Sequence, residues 1–195
     1  MRKRSWESRI LAVLFFGPPV LVAVAIFGPL ELGWLPQIQP PYGERYKSTV
    51  ILPESSLELN SGGILESDWT RGRWSLIYAH ISDCSENCLR SLNVLEGVQL
   101  AASNELENIQ LVYLYGGNDS VSLSTINLPE GLIIGRIEGP TAAPLRKVLG
   151  EDLLMEGRIY IVNPNGKLVF GYPPDAEQQG VLRDLKRLIA IRRVV

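Results

Sequence analysis

Side chains that carry chemistry are scarce in this chain of 195 residues: two Cys, one His and two Met. A zinc finger, a His-based metalloprotease and a disulfide-rich secreted scaffold each need more ligands or bridges than that, so all three are excluded. Neither sign of charge dominates, with 19 basic residues against 21 acidic ones and a formal net charge of −2. The longest basic run is Arg2-Lys3-Arg4, which argues against a nucleic-acid-binding surface. Repeats and low-complexity tracts are missing as well. With 46% apolar and 21% charged residues the chain is too hydrophobic to stay disordered. Its length suits one ordinary domain plus an appendage.

What is present is unevenly spread. Ile10 to Leu30 is an uncharged apolar run. As a helix it would measure ~31 Å, enough to cross the ~30 Å hydrocarbon core of a bilayer. Trp6 and Trp34 flank it as interfacial aromatics do, and Gly17-Pro18-Pro19 predicts a kink of the kind membrane helices tolerate. Arg2, Lys3, Arg4 and Arg9 precede the run, whereas the first charge after it is Glu31. The positive-inside tendency therefore keeps residues 1–9 cytoplasmic and translocates everything after the transmembrane helix at 10–30. A cleaved signal peptide is the rival reading, but its apolar core is shorter and ends in an Ala-x-Ala-like site, where this chain reads Glu-Leu-Gly-Trp-Leu-Pro. The expectation is a single-pass inner-membrane protein with its domain in the periplasm of a bacterial host.

Residues 31–55 hold Pro36, Pro40, Pro41 and Pro53 with little periodicity and read as an extended tether. The domain proper is expected at 56–195. Leu57–Asn60 and Ile64–Glu66 form a short hairpin around Ser61-Gly62-Gly63. Trp74–Ile81 and Ile109–Tyr115 are continuous apolar strands of the kind buried on both faces. Between them, Leu89, Leu92, Leu95, Val98 and Ala102 recur at helical spacing over Cys88–Glu105. A third strand at Gly131–Ile137 and a short helix at Thr141–Leu149 follow. Arg158–Val162 and Lys167–Phe170 flank Asn163-Pro164-Asn165-Gly166, a hairpin signal because Asn-Gly accepts positive φ. Asp175-Ala-Glu-Gln178 resembles a capping box opening a helix to about Arg193, with Val181, Leu182, Leu185, Leu188 and Ile189 as its apolar stripe. The order β–β–β–α–β–β–α–β–β–α predicts an α/β thioredoxin-like sandwich.

Both cysteines fall at the junction of the first central strand and the first long helix, in Asp83-Cys84-Ser85-Glu86-Asn87-Cys88. A spacing of four puts two thiols on one face of a helical turn, within reach of a disulfide or a shared metal. The helix N-terminus favours thiolate, the form that attacks disulfides and binds metals, while Asp83 and Glu86 oppose it. Three readings stay open at this point: a working thiol pair, a structural disulfide, or two inert buried thiols. His80 reads as a core or strand-end histidine, and Met155 as a gap-filler.

In three stretches the sequence resembles the Sco family, membrane-anchored thioredoxin-like proteins that serve assembly of the copper centre of cytochrome c oxidase. These are the basic N-terminus, span and tether; the Cys84-Ser85-Glu86-Asn87-Cys88 motif after a strand; and the hairpin Ile159-Tyr160-Ile161-Val162-Asn163-Pro164-Asn165-Gly166-Lys167. The resemblance implies a thiol pair, Cys84 and Cys88, that returns a client disulfide to thiols or handles Cu(I), with Cys84 attacking and Cys88 resolving. Oxidase subunits or assembly factors are the implied partners. Two departures stand out. Ser85 and Leu89 replace flanking prolines, and Met155 stands where the family has its third copper ligand, a His. Cys84, Cys88 and Met155 are all soft donors and would still suit Cu(I). The neighbouring possibilities are a tethered thiol–disulfide oxidoreductase for other clients and a non-catalytic interaction module. Against an ordinary thioredoxin, Met155-Glu156-Gly157-Arg158 carries no proline before the penultimate strand. Against a peroxiredoxin, no Pro-x-x-x-Thr precedes Cys84.

Overall fold

The computed structural model describes residues 13–24, 40–82, 84–102, 109–117 and 128–194. Residues 13–24 are helical with exposed apolar side chains, and the Gly17-Pro18-Pro19 step lies within them. The rest of the expected span, its basic flank at 1–9 and its Trp6 and Trp34 borders lie outside the described residues. Among the described residues no helix is long and apolar enough to cross a membrane.

Residues from Pro41 onward form a separate unit. It is built on one mixed sheet of eight strands: β1 Glu44–Ile51, β2 Leu57–Leu59, β3 Ile64–Leu65, β4 Trp74–His80, β5 Ile109–Tyr115, β6 Ile133–Arg136, β7 Arg158–Val162 and β8 Lys167–Tyr172. Their spatial order is β1-β8-β7-β4-β5-β6-β2-β3. The helices are α1 Glu86–Ala102, α2 Ala143–Leu149, α3 Glu151–Glu156 and α4 Gln178–Val194. β4 and β5 run parallel at the centre, joined through α1, and β4 also pairs antiparallel with β7. Every residue of β4, β5 and β7 is buried, as their mostly apolar sequences lead one to expect, and Ser75, His80, Gln110 and Arg158 are buried with the rest.

Strand alternation divides the core in two. Leu76, Tyr78, Leu111, Tyr113, Ile159 and Ile161 face α1 and α4, while Ile77, Ala79, Val112, Leu114, Tyr160 and Val162 face α2 and α3. The expected stripe of α4 is borne out, with Val181, Leu185 and Ile189 buried and Leu182 and Leu188 at the rim. On α1 the deepest position of the first turn belongs to Cys88 rather than to Leu89, which is only half-buried.

Four expectations need correction. Residues 44–51, assigned to the tether, form β1, with Glu44 opposite Gly171 and Val50 opposite Leu168 on β8. Its Arg, Lys, Ser and Thr give the segment no apolar pattern in the sequence, and its register slips between Arg45 and Val50. The helix α3 is missing from the expected order because six residues are too few to show a period. Gly150 and Gly157, with φ of 88° and 79°, delimit it. In the β7–β8 turn only Gly166 has positive φ; the rest is held by the Asn163 side chain, whose Oδ1 accepts the N–H groups of Asn165 (3.0 Å) and Lys167 (2.9 Å). The expected capping box at Asp175 is not the start of α4, because the Val181 N–H donates to the Glu177 carbonyl.

Glu177 instead gives its own N–H to the Tyr42 hydroxyl (3.0 Å). Tyr42 stacks on Tyr172 and lies over Gly180, where any side chain would collide with its ring. Beside it, the carboxylate of the buried Asp184 accepts the Gly43 N–H (2.8 Å) and the Tyr172 hydroxyl (3.3 Å). The segment entering β1 is thereby fixed to α4. Burial, with the Asp184 charge adding to it, pushes the Tyr172 phenol far above its ordinary range.

Candidate functional site

The parallel pair β4–β5 ends at one edge of the sheet, and the crossover through α1 starts there. In α/β proteins such carboxyl ends are the ordinary place for a site. Cys84 follows β4 by four residues, and Cys88 lies in the first turn of α1. The two are joined by a disulfide with Cα atoms 5.2 Å apart. The bridge is asymmetric. Cys88 has no solvent exposure and belongs to the core, whereas Cys84 is half-buried at its border. An incoming group therefore meets Cys84 first.

Beneath the bridge runs a row of rings. Tyr115 packs on Tyr113 (centroids 5.9 Å apart), Tyr113 stacks on Tyr78 (5.6 Å), and Tyr78 stacks on His80 (6.1 Å). The row exists because β4 and β5 are in parallel register, Tyr78 opposite Tyr113 and His80 opposite Tyr115, so alternate residues line one face. The Tyr113 hydroxyl lies 3.6 Å from Cys88 Sγ and donates to it. The Tyr115 hydroxyl goes to Asn60 Oδ1 (3.3 Å), and the His80 Nε2 shares a hydrogen bond with the Ser82 hydroxyl (2.8 Å). His80 is thus buried at the strand end, as its sequence context predicts.

The helix α3 and the turn into β7 close this edge. The Ile81 N–H donates to the Leu154 carbonyl (3.1 Å), which brings α3 to the end of β4. Met155, the next residue, is 58% exposed. Gly157, at the entry to β7, turns with φ 79°, and a Cβ there would lie 2.4 Å from the Tyr78 hydroxyl. The positive φ and that close approach together call for glycine at this position. Among the described residues no three His, Cys, Asp or Glu side chains converge as a metal site would need. A disulfide has no thiolate to give a metal; reduction would free two soft donors, and the Met155 thioether is a donor of the same softness.

The sequence singled out Cys84, Cys88 and Met155; the structure joins the first two and brings the helix of the third to the same edge. It missed Tyr78, Tyr113 and Gly157. A signal for the tyrosines was there: Tyr78, Tyr113 and Tyr115 interrupt, at alternate positions, strands where hydrocarbon side chains alone would fill the core.

Residues 74–192 match the family model described as "Transmembrane-like, thioredoxin-like, C-terminal domain". No curated protein is significantly similar to the chain in sequence. Among solved structures, copper-bound yeast Sco1 superposes with a TM-score of 0.62 at 14% identity, over 74% of this chain and 95% of that one. BsSco, a member of the Sco family of cytochrome c oxidase assembly proteins in which a disulfide switch was identified, gives 0.53 at 13% identity over 78% and 97%. The MTB protein dsbF, solved in mixed oxidised and reduced forms, gives 0.52 at 12% identity over 69% and 95%. At these identities the likeness establishes a shared thioredoxin-like fold of the Sco type.

Proposed function

Since the chain belongs to the transmembrane-like, thioredoxin-like C-terminal domain family, we propose that it is a membrane-anchored, Sco-like thiol-exchange protein that assists cytochrome c oxidase assembly. The observation that carries this reading is the asymmetric Cys84–Cys88 disulfide at the carboxyl end of the central strands, one cysteine half-buried and the other fully buried. In the reduced protein the Cys84 thiolate attacks a client disulfide. A mixed disulfide forms, and the client's other sulfur leaves as thiolate. Cys88 then attacks Cys84 Sγ, the internal disulfide re-forms and the client departs as a dithiol. Two electrons pass from the Cys pair to the client, and a thiol donor restores the pair by the reverse steps. An anchor over 10–30 holds the domain at the periplasmic face, with residues 1–9 cytoplasmic and the segment before β1 as the tether.

Copper handling is a second reading, favoured by the Sco structures solved with copper bound. Cys84, Cys88 and Met155 would hold Cu(I) in the reduced protein, with copper as cargo for the oxidase. Absence of Cu(I) uptake by the reduced protein would remove it.

The test of the main reading is genetic and chemical together. Deleting the gene should lower oxidase activity, and Cys84→Ser should fail to restore it. The wild-type disulfide should equilibrate at a potential above about −300 mV, since structural bridges lie below that value. Full oxidase activity in the deletion strain, with and without added copper, would overturn the assignment.

A further inference from the structure

Cys88 is fully buried, so a thiolate formed on it is cut off from bulk water and depends on the protein for a partner. Tyr113 offers its hydroxyl 3.6 Å from Cys88 Sγ. A disulfide sulfur carries no proton, so the phenol is the donor. The ring is held in place: it is completely buried and packed between Tyr78 and Tyr115, at 5.6 and 5.9 Å. Packing alone asks only for an apolar ring at this position, and the hydroxyl adds the contact with Cys88 Sγ.

We infer that Tyr113 is a catalytic hydrogen-bond donor in exchange at the Cys84–Cys88 bridge, stabilising the thiolate that leaves Cys88 when a thiolate attacks Cys84. The inference rests on the thiol-exchange reading above. In the step, the bond between the incoming sulfur and Cys84 Sγ forms, the Cys84–Cys88 bond breaks, and the electron pair of that bond stays on Cys88. The phenolic proton remains on Tyr113 throughout. A hydrogen bond to an anionic sulfur is charge-assisted and stronger than one to a neutral disulfide. The contact therefore tightens as the bond breaks, which is the condition for lowering the barrier rather than merely binding the ground state.

The test reduces the oxidised full chain, in mild detergent, with dithiothreitol and follows the rate by thiol-specific gel shift. Tyr113→Phe should slow reduction about tenfold, equivalent to about 1.4 kcal/mol in the barrier. Tyr115→Phe removes a hydroxyl from the neighbouring ring, one engaged with Asn60, and should reduce at the wild-type rate. A purely structural Tyr113 would lower the urea midpoint of the Phe variant and leave the rate unchanged; that result overturns the inference while the thiol-exchange reading stands. A wild-type bridge that dithiothreitol does not reduce would overturn both. Should Tyr113→Phe not fold, the wild type carrying ring-labelled tyrosine decides: the Tyr113 Cζ resonance should move on reduction by more than that of Tyr115, and an unmoved resonance overturns the proposal.

Discussion

The two faces of one sheet differ in chemistry although the same strands build both. Toward α1 and α4 the strands β4 and β5 present Tyr78, His80, Tyr113 and Tyr115 beside the disulfide. Toward α2 and α3 the same strands present Ile77, Ala79, Val112 and Leu114. A residue and its successor therefore serve different ends, and parity along the strand sorts them. The hydrocarbon face is packed at its centre by side chains without polar atoms, and the polar groups on the same side, Ser75, Gln110 and the Tyr160 hydroxyl, are hydrogen-bonded away from the cysteines. The ring-lined face must keep hydroxyls and sulfur satisfied, and it surrounds the reactive edge.

If that division is real, damage to one face should leave the other's chemistry intact. The largest stability loss is expected for Leu114→Ala, completely buried on the hydrocarbon face. It should cost about 2–5 kcal/mol in urea unfolding with no change in the rate of disulfide reduction; a slowed reduction would break the division. Next is Asp184→Ala, which strips the Gly43 N–H and the Tyr172 hydroxyl of their acceptor. A loss of about 1–3 kcal/mol is expected, because two buried donors go unpaired, and amide exchange at Gly43 should accelerate.

Alkali should act on both faces at once. Burial raises the phenols of Tyr160 and Tyr46 on the hydrocarbon side and of Tyr172 on the other above the ordinary 10.0. A phenol whose folded pKa is raised contributes stability that is complete below the unfolded value. It is lost as pH rises past that value, since the unfolded chain sheds its protons first. Stability should therefore hold to about pH 10 and fall beyond it, with phenolate absorbance from these rings appearing together with loss of circular dichroism. Phenolate appearing earlier, in the folded state, would contradict their burial. The smallest effect is expected for Glu54→Ala, which breaks an exposed pair with Arg71 at 2.7 Å. Urea unfolding should change by no more than about 1 kcal/mol.

What could be read from the sequence follows the strength of each periodic signal. β4, β5 and β7 are mostly apolar runs, and α1 and α4 are long enough to repeat, so the core and its class were legible. β1 is half polar and sits in a proline-rich setting, and α3 is a single turn and a half between glycines; local pattern could not separate either from loop. The cysteine pair was legible because a junction between a buried strand and a helix is a defined place. Tyr113 was not, because its contact with Cys88 spans 25 residues and depends on the parallel register of β4 and β5. Gly157 was noticed only for the proline it lacks, its need being set by the Tyr78 hydroxyl on another strand.

The ring of Tyr42 seated over Gly180 also bears on mechanics. An edge strand at the start of a domain is easily unzipped, one hydrogen bond at a time, by a pull on the chain before it. Here the load reaches Tyr42 and Gly43 before β1, and it is passed to α4 through the Glu177 N–H and the Asp184 carboxylate. Tension from the N-terminal side is thus borne by a helix loaded across its packed face, and the edge strand is spared.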